Sequence, residues 1–292
     1  MEKDTNPERV IINFTKMCAL DCEWCYVPFD NKEISIEKLI SVIDRVSVLG
    51  FRSVTFGGGD PFQFKDLAPA IIKAKELGLF VHVDTHAITL AKSKENSHLL
   101  DNFIDLIGLP LDGSTDKIHD LMRGRIGHYD LIIDKLLWLR DHKVSIKLNT
   151  IVTSVNEFDL ANLEKLVRKI HPERWSIYQF WPIGPAVKAQ SNYTLEHCRF
   201  LESIRRLDYN ILDGTVVEIN ASESRRRTYP ILNHLGEVYF HHEYPHNEFQ
   251  YVGSIFEKEI SSKMDELCIL ERDQAVSRYS TTNKYEETNN LP

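Results

Sequence analysis

Short apolar segments alternate with stretches of helical periodicity through the first 181 residues, and this alternation limits the possible folds more than any other feature. Residues 10–14 form the first apolar segment. Residues 35–49 follow with apolar side chains at helical spacing, and Gly50 ends that stretch. The sixth apolar segment covers residues 175–181. Six strands joined by helices predict an α/β fold, namely a partial parallel (β/α)6 TIM-type barrel with a small C-terminal extension. In such a barrel the active site lies at the carboxyl ends of the strands.

The pattern changes after the sixth segment, and we therefore divide the chain into three parts. Residues 1–185 are predicted to form the core barrel, residues 186–279 an extension that covers the barrel mouth, and the polar residues 280–292 a disordered tail. No run of about 18 apolar residues predicts a membrane-spanning helix, and the polar start is not a signal peptide. We expect a cytoplasmic protein. The net charge of −8 argues against a nucleic-acid partner.

Three cysteines follow the first predicted strand with the spacing C-x3-C-x2-C: Cys18, Cys22 and Cys25. Three thiolates on one loop can hold three irons of a 4Fe-4S cluster, which leaves the fourth iron open to a small molecule. A structural zinc usually needs four ligands, and only the distant Cys198 and Cys268 remain. An odd count of five cysteines does not suit a disulfide framework. The loop is therefore interpreted as a 4Fe-4S cluster site.

This cysteine spacing, with Trp24 directly before the last cysteine, resembles the signature of radical S-adenosylmethionine (SAM) enzymes. The resemblance implies that SAM chelates the open iron. It also implies that one electron cleaves SAM to a 5′-deoxyadenosyl radical, which abstracts hydrogen from a small-molecule substrate. An electron donor such as flavodoxin or ferredoxin is the partner that this chemistry implies.

Further segments resemble the SAM-binding motifs of the same family. The run Gly-Gly-Gly-Asp-Pro at 57–61 is similar to the motif for the SAM amino group, with an aspartate in place of the usual glutamate. Residues 109–124 resemble a run whose arginine reaches the SAM carboxylate. The resemblance assigns SAM binding to Tyr26, Gly58, Gly59, Asp60, Thr85, Arg123 and Asn149.

From about residue 144 the sequence resembles the viperins, radical SAM enzymes that dehydrate nucleoside triphosphates. The matching segments are Lys-Leu-Asn at 147–149, Pro-Glu-Arg-Trp-Ser-Ile-Tyr-Gln at 172–179 and a stretch at 224–232. The resemblance implies substrate binding by Lys147, Arg174 and Gln179 and a catalytic Tyr229 near a ribose. Viperins carry a lysine where this chain has Ser176, and this departure makes a triphosphate less favoured than another small anion.

Two other functions stay open at this point. The chain could modify a peptide or natural product by epimerisation, dehydrogenation or cross-linking, in which case Cys268 is a candidate catalytic hydrogen donor. Some features around Asp112 resemble enzymes with a SPASM domain, but the additional cysteines of their auxiliary clusters are missing. The third function is that of an iron–sulfur sensor that binds SAM without turnover.

Overall fold

The structure, a computed structural model, describes residues 9–28, 34–208, 212, 214–225, 227, 229–242 and 246–268. Its strands are β1 (Arg9–Thr15), β2 (Ser53–Gly58), β3 (Phe80–Asp84), β4 (Leu106–Pro110), β5 (Ser145–Val152), β6 (Arg174–Gln179), β7 (Val216–Asn220), β8 (Ile231–Asn233), β9 (Glu237–His241) and β10 (Phe249–Ser254). Its helices are α1 (Ile36–Val48), α2 (Leu67–Glu76), α3 (Lys94–Asn102), α4 (Asp116–Arg123), α5 (His128–Leu139), α6 (Leu160–Ile170), α7 (Gln190–Tyr193), α8 (His197–Arg205) and α9 (Ile260–Cys268).

The strands form one sheet in the order β10-β9-β8-β1-β2-β3-β4-β5-β6-β7. Each pair from β1 to β7 is parallel, β8 also runs parallel to β1, and β9 and β10 are antiparallel to their neighbours. The parallel α/β arrangement predicted from the sequence is thus confirmed, and β7 extends the predicted series of six strands. A closed barrel is not observed, because no pairing within the described ranges joins β7 to β10.

The two ends of this open sheet nevertheless approach each other. Trp181 follows β6 and His241 ends β9, which is seven strand positions away. In a flat sheet these strands would lie roughly 34 Å apart. The two ring centroids are 5.5 Å apart, and the backbone N–H of Arg227, beyond β7, donates to the His241 carbonyl oxygen at 3.3 Å. The sheet therefore curls strongly, and we call its inner surface the concave face.

The outer face of the sheet is apolar and packs against helices. Alternation along β1 places Ile12 and Phe14 on this face, and both are fully buried in one core with Leu39 of α1. Each such side chain stabilises the fold by about 1.5–3 kcal/mol on burial. Helix α1 begins where the Ser35 side chain accepts a hydrogen bond from the Lys38 N–H. Because the apolar side chains of the strands point to the outer face, polar side chains such as Asn13 point to the concave face.

Beyond residue 185 the chain contributes α7 to α9 and completes the sheet with β7 to β10. The predicted tail at 280–292 lies outside the described residues. None of the helices that the structure describes is long and apolar enough to cross a membrane.

Candidate active site

The cysteine loop leaves the carboxyl end of β1, as the strand–helix pattern predicts. Cys18 is exposed, Cys22 and Cys25 are half-buried, and all three are free thiols. The Cys25 N–H donates to the Cys22 carbonyl oxygen at 3.0 Å, which tightens the loop. Partial burial raises the pKa of the Cys22 thiol. Cys22 is therefore a thiol at neutral pH, and bound metal would be needed to hold it as a thiolate.

Helix α4 supports this loop from one side. The indole N–H of Trp24 donates to the Met122 carbonyl oxygen at 2.9 Å, and the Arg123 guanidinium carbon lies 4.6 Å from the Trp24 ring centroid. The Cys22 sulfur is 3.8 Å from the Arg123 carbonyl oxygen. Gly124 then ends the helix in a left-handed conformation with φ 65°. Two segments about 100 residues apart in sequence, both predicted to bind the cofactors, thus meet here.

The glycine loop after β2 packs directly on the cysteine loop. The Gly59 N–H donates to the Thr15 carbonyl oxygen at 2.6 Å, and the Asp60 N–H donates to that of Met17 at 2.7 Å. A Cβ on Gly59 would lie 2.1 Å from the Met17 oxygen, and one on Gly58, where φ is +108°, would lie 2.2 Å from the Thr15 oxygen. Both glycines are therefore required for this close approach, whatever they contribute to SAM.

The Asp60 carboxylate is fully buried and engages its own neighbours. It accepts hydrogen bonds from the Phe62 N–H at 2.8 Å, the Thr85 hydroxyl at 2.8 Å and the His86 N–H at 3.1 Å. Nδ1 of His86 lies 2.9 Å from the same carboxylate. Asp60 and Thr85, which the sequence assigned separately to SAM, are thus joined. Asp60 orders the loop, and its contact with SAM stays a prediction.

A chain of buried histidines connects this loop to the segment at Asp112. The Asp112 N–H donates to Nδ1 of His119 at 3.1 Å, so Nε2 of His119 carries the proton and donates to Nδ1 of His128 at 2.8 Å. Nε2 of His128 then donates to the His86 carbonyl oxygen at 2.9 Å. Burial lowers the pKa of His119 to about 2 and that of His128 to about 4, so both stay neutral. Sequence reasoning did not find this chain.

Asn149 occupies the concave face beside Asp84. Its Nδ2 donates to Oδ1 of Asp84 at 2.8 Å. Its Oδ1 is buried and has no hydrogen-bond partner in the described part of the chain. Gly108 makes room for the pair, because a Cβ there would lie 1.9 Å from the Asp84 oxygen. The unsatisfied oxygen of Asn149 fits a hydroxyl donor such as a ribose of SAM.

Lys147, two residues earlier on β5, is a buried cation on the same face, with 2% of its surface exposed. Its Nζ lies 3.2 Å from the Tyr178 hydroxyl. Burial acts to lower the pKa of Lys147, but Tyr178 and the carboxylates of Asp84 and Glu218 outweigh burial and raise it. The side chain is therefore an ammonium at neutral pH, as binding of a substrate anion requires.

Arg174 lies beside Lys147 in the register of β5 and β6. Its Nη1 is 2.8 Å from Oε1 of Glu218 on β7, and the Ser176 hydroxyl donates to the other oxygen of that carboxylate. Sequence reasoning missed Glu218, since nothing in its local sequence marks it. The arginine predicted to bind substrate is thus paired with a carboxylate.

Gln179 lies on the opposite face of β6 from Tyr178, as strand alternation requires. Its Nε2 donates to the Leu195 carbonyl oxygen at 3.0 Å, and its Oε1 accepts hydrogen bonds from the N–H and hydroxyl of Ser222 at 3.1 and 3.0 Å. The amide therefore ties β6 to the segments that follow it. Its contact with substrate stays a prediction.

Three rings form an aromatic group near the cysteine loop, and they belong to Tyr26, Tyr229 and His241. The His241 ring centroid lies 5.9 Å from Tyr26 and 6.4 Å from Tyr229. The Arg9 guanidinium carbon lies 4.8 Å from the Tyr229 ring centroid. His241 thus lies next to both Tyr229 and Tyr26, and the catalytic role of Tyr229 near a ribose stays a prediction. Cys268, the other predicted catalytic residue, ends α9, and its side chain lies outside the described residues.

No three His, Cys, Asp or Glu side chains within the described ranges converge on a single metal ion. A cluster does not require such convergence, because each thiolate binds a different iron. The donor chemistry of the loop and the unsatisfied oxygen of Asn149 both fit a cluster with SAM.

Comparison with known proteins decides the family. The sequence profile described as the Radical SAM superfamily matches residues 12–170, just over half of the chain. This chain belongs to the radical SAM superfamily. The prediction made from the cysteine spacing is confirmed. Members of this family are enzymes, and the family implies SAM and a 4Fe-4S cluster as cofactors.

Curated relatives of this radical SAM protein carry different activities. An S-adenosylmethionine-dependent nucleotide dehydratase from Lacinutrix mariniflava is 31% identical, over 57% of this chain and 37% of the relative. A PqqA peptide cyclase from Rhodopseudomonas palustris is 25% identical, over 62% of this chain and 49% of the relative. The chain thus spans between about a third and a half of the length of these relatives.

Solved structures show the same fold at low sequence identity. The structure of anSMEcpe with bound AdoMet has a TM-score of 0.68 at 19% identity and covers 90% of this chain and 83% of that chain. Streptococcus suis SuiB bound to the precursor peptide SuiA has a TM-score of 0.66 at 16% identity. The match covers 80% of this chain and 59% of that chain.

Proposed function

We propose that this chain is a radical SAM enzyme of the viperin-like type that acts on a small anionic substrate, of the nucleotide or sugar-phosphate class. One observation carries the substrate class. Lys147 is almost completely buried on the concave face and yet its surroundings hold it as an ammonium. A buried cation of this kind suits an anionic ligand. The nucleotide dehydratase activity of the relative from Lacinutrix mariniflava agrees with this choice.

The cysteine loop and its neighbours are proposed to bind the cofactors. When bound, the cluster and SAM supply an electron and a hydrogen-abstracting 5′-deoxyadenosyl radical. Cys18, Cys22 and Cys25 hold the cluster.

The SAM-binding residues are proposed on the same basis. Asn149 offers its unsatisfied oxygen to the SAM ribose, and Arg123 offers its outer N–H groups to the SAM carboxylate while Nε stays with Asp112. The remaining SAM contacts are assigned to Tyr26, Gly58, Gly59, Asp60 and Thr85.

The concave face is proposed to bind the substrate. Lys147 and Arg174 hold its anionic group. Tyr229, whose ring lies between the Arg9 guanidinium and the His241 ring, contacts the part of the substrate that reacts. The curled sheet is proposed to be a partial TIM-type barrel whose core ends at residue 185, with residues 186–279 over its mouth. The exposed Cys18 suggests access for an electron donor such as flavodoxin or ferredoxin, in a reducing cytoplasm.

A substrate screen tests this function. The protein is reconstituted anaerobically and reduced with dithionite. 5′-Deoxyadenosine is then measured by mass spectrometry with SAM alone and with nucleotides, nucleotide sugars and sugar phosphates. One phosphate-bearing compound should accelerate its formation in wild type. Lys147→Met should lose this acceleration and keep the basal rate, whereas Lys143→Met, an exposed control, should keep both. A basal rate that no phosphate compound changes would contradict the proposed substrate class.

A second candidate is the modification of a peptide or natural product by epimerisation, dehydrogenation or cross-linking. The PqqA peptide cyclase relative favours it, at 25% identity. In an epimerisation Cys268→Ala would block product formation and spare SAM cleavage. A SAM-binding sensor is a third candidate, for which tight SAM binding without 5′-deoxyadenosine under strong reduction would be the signature.

A further inference from the structure

Glu218 on β7 faces the residues proposed to bind the substrate anion. Its Oε1 lies 2.8 Å from Nη1 of Arg174, and the two side chains are 13% and 16% exposed. Ser176, which pairs with Glu218 in the register of β6 and β7, donates its hydroxyl to the other carboxylate oxygen. Both oxygens of this carboxylate are therefore fixed by β6, so its charge has a set position on the concave face.

Several charged side chains lie near Lys147 on this face, and Asp84, Glu218 and Arg9 act on it electrostatically. The Arg9 Nε–H donates to the Thr55 hydroxyl at 3.3 Å, and the Arg225 guanidinium carbon lies 5.8 Å from the Tyr178 ring, next to Lys147. Four cations of the described chain thus share the region with two carboxylates. They are Arg9, Lys147, Arg174 and Arg225, and the carboxylates are Asp84 and Glu218. The excess is two positive charges.

A phosphate monoester carries about −1.5 to −2 charges at pH 7, which matches this excess. A triphosphate carries more negative charge, and its additional phosphates would meet a carboxylate that is held in place. In a partly desolvated site such repulsion between like charges is weakly screened. Specificity can come from a repulsive element of this kind as much as from attraction.

We infer that Glu218 is a specificity-determining residue that restricts the substrate to a phosphate monoester and excludes triphosphates. This inference rests on the proposed function, and it narrows the substrate class of the same site. Glu218 offsets part of the positive charge that Lys147 and Arg174 offer to the substrate, which leaves enough for a single phosphate.

Binding of nucleotides of different charge tests the inference. The mono- and triphosphates of adenosine, guanosine, cytidine and uridine are titrated calorimetrically into the reconstituted, SAM-loaded protein. Wild type should bind its preferred monophosphate more tightly than the matching triphosphate. Glu218→Gln should shift the ratio of the two affinities by about tenfold towards the triphosphate. Glu173→Gln removes the same charge from an exposed side chain one residue before Arg174, and it should leave the ratio unchanged.

A second variant keeps the test decisive where Glu218→Gln does not fold. Ser176→Lys adds a cation beside the same carboxylate and should move the ratio in the same direction. The inference would be overturned if wild type preferred a triphosphate, or if neither variant changed the ratio of the monophosphate and triphosphate affinities. It would also be overturned if a protein that cleaves SAM bound no phosphate compound. Failure to form 5′-deoxyadenosine at all would instead overturn the proposed function, since the affinity ratio is measured without turnover.

Discussion

Nε of Arg123 lies 2.6 Å from Oδ2 of Asp112, and the two side chains are 11% and 0% exposed. Oδ1 of Asp112 accepts a hydrogen bond from the Ile151 N–H at 2.8 Å, while the Arg123 guanidinium stacks on Trp24. This ion pair therefore connects α4, β5 and the cysteine loop. Because removal of one partner from a buried pair leaves an uncompensated charge, both residues are coupled in stability.

Arg123→Met should lower the free energy of unfolding by about 3–5 kcal/mol, because the Asp112 carboxylate stays buried without its cation. Urea denaturation of the cluster-free protein measures this change. The double variant Arg123→Met/Asp112→Asn should recover part of the loss. Strictly additive losses in the two single variants and the double variant would show that the pair is not coupled.

Gly59→Ala should prevent cluster incorporation, because its Cβ would lie 2.1 Å from the Met17 carbonyl oxygen and push the cysteine loop away. Iron content and the brown cluster absorbance after reconstitution report the effect. Gly57→Ala is the matched control, since its Cβ would meet only side-chain atoms, at 3.2 Å from Asn13 and 3.8 Å from Ile11. Equal iron content in the two variants would speak against a packing role for Gly59.

Asn149→Ala should weaken SAM binding about tenfold, the effect of one lost hydrogen bond in a buried site. The physical reason is the Asn149 oxygen, which has no partner among the described residues. Calorimetric titration of SAM into the reconstituted protein measures the affinity, with the exposed Asn192→Ala as control. Unchanged affinity would remove Asn149 from the SAM site.

The buried histidine chain predicts acid sensitivity. Burial lowers the pKa of His128 from 6.5 to about 4, so the unfolded chain takes up a proton at higher pH than the folded one. The contribution of neutral His128 to the free energy of unfolding is fully present above pH 6.5 and is lost as the pH falls towards 4. Between pH 7 and pH 5 this residue alone accounts for about 2 kcal/mol. Urea denaturation of the cluster-free protein at both values should show a smaller loss for His128→Gln than for wild type.

Much of the fold follows from local sequence. The strands β1 to β6 lie within a few residues of their predicted positions, because alternation and helical periodicity are local patterns. The short strand β8 was not predicted, since three residues carry no readable period. The cysteine spacing was sufficient to identify the radical SAM superfamily.

Other parts of the site depend on distant segments and could not be predicted. The proposed role of Glu218 depends on its ion pair with Arg174, 44 residues earlier, and the pairing of β6 with β7 brings the two side chains together. His128 likewise depends on the fold that places His86 beside it, 42 residues away. The substrate contact of Gln179 stays a prediction, and the sequence could not show that this side chain bonds to Leu195 and Ser222, which lie 16 and 43 residues away.

Reductive SAM cleavage by cysteine variants tests the central claim most directly. Wild type and Cys198→Ala, a control at an exposed cysteine, are compared with Cys18→Ala, Cys22→Ala and Cys25→Ala after anaerobic reconstitution. Wild type and the control should show the brown cluster absorbance and form 5′-deoxyadenosine from SAM only with dithionite, and the other three should show neither. A cluster-cysteine variant that keeps both properties, or a wild type that binds a cluster and SAM without forming 5′-deoxyadenosine, would contradict the account.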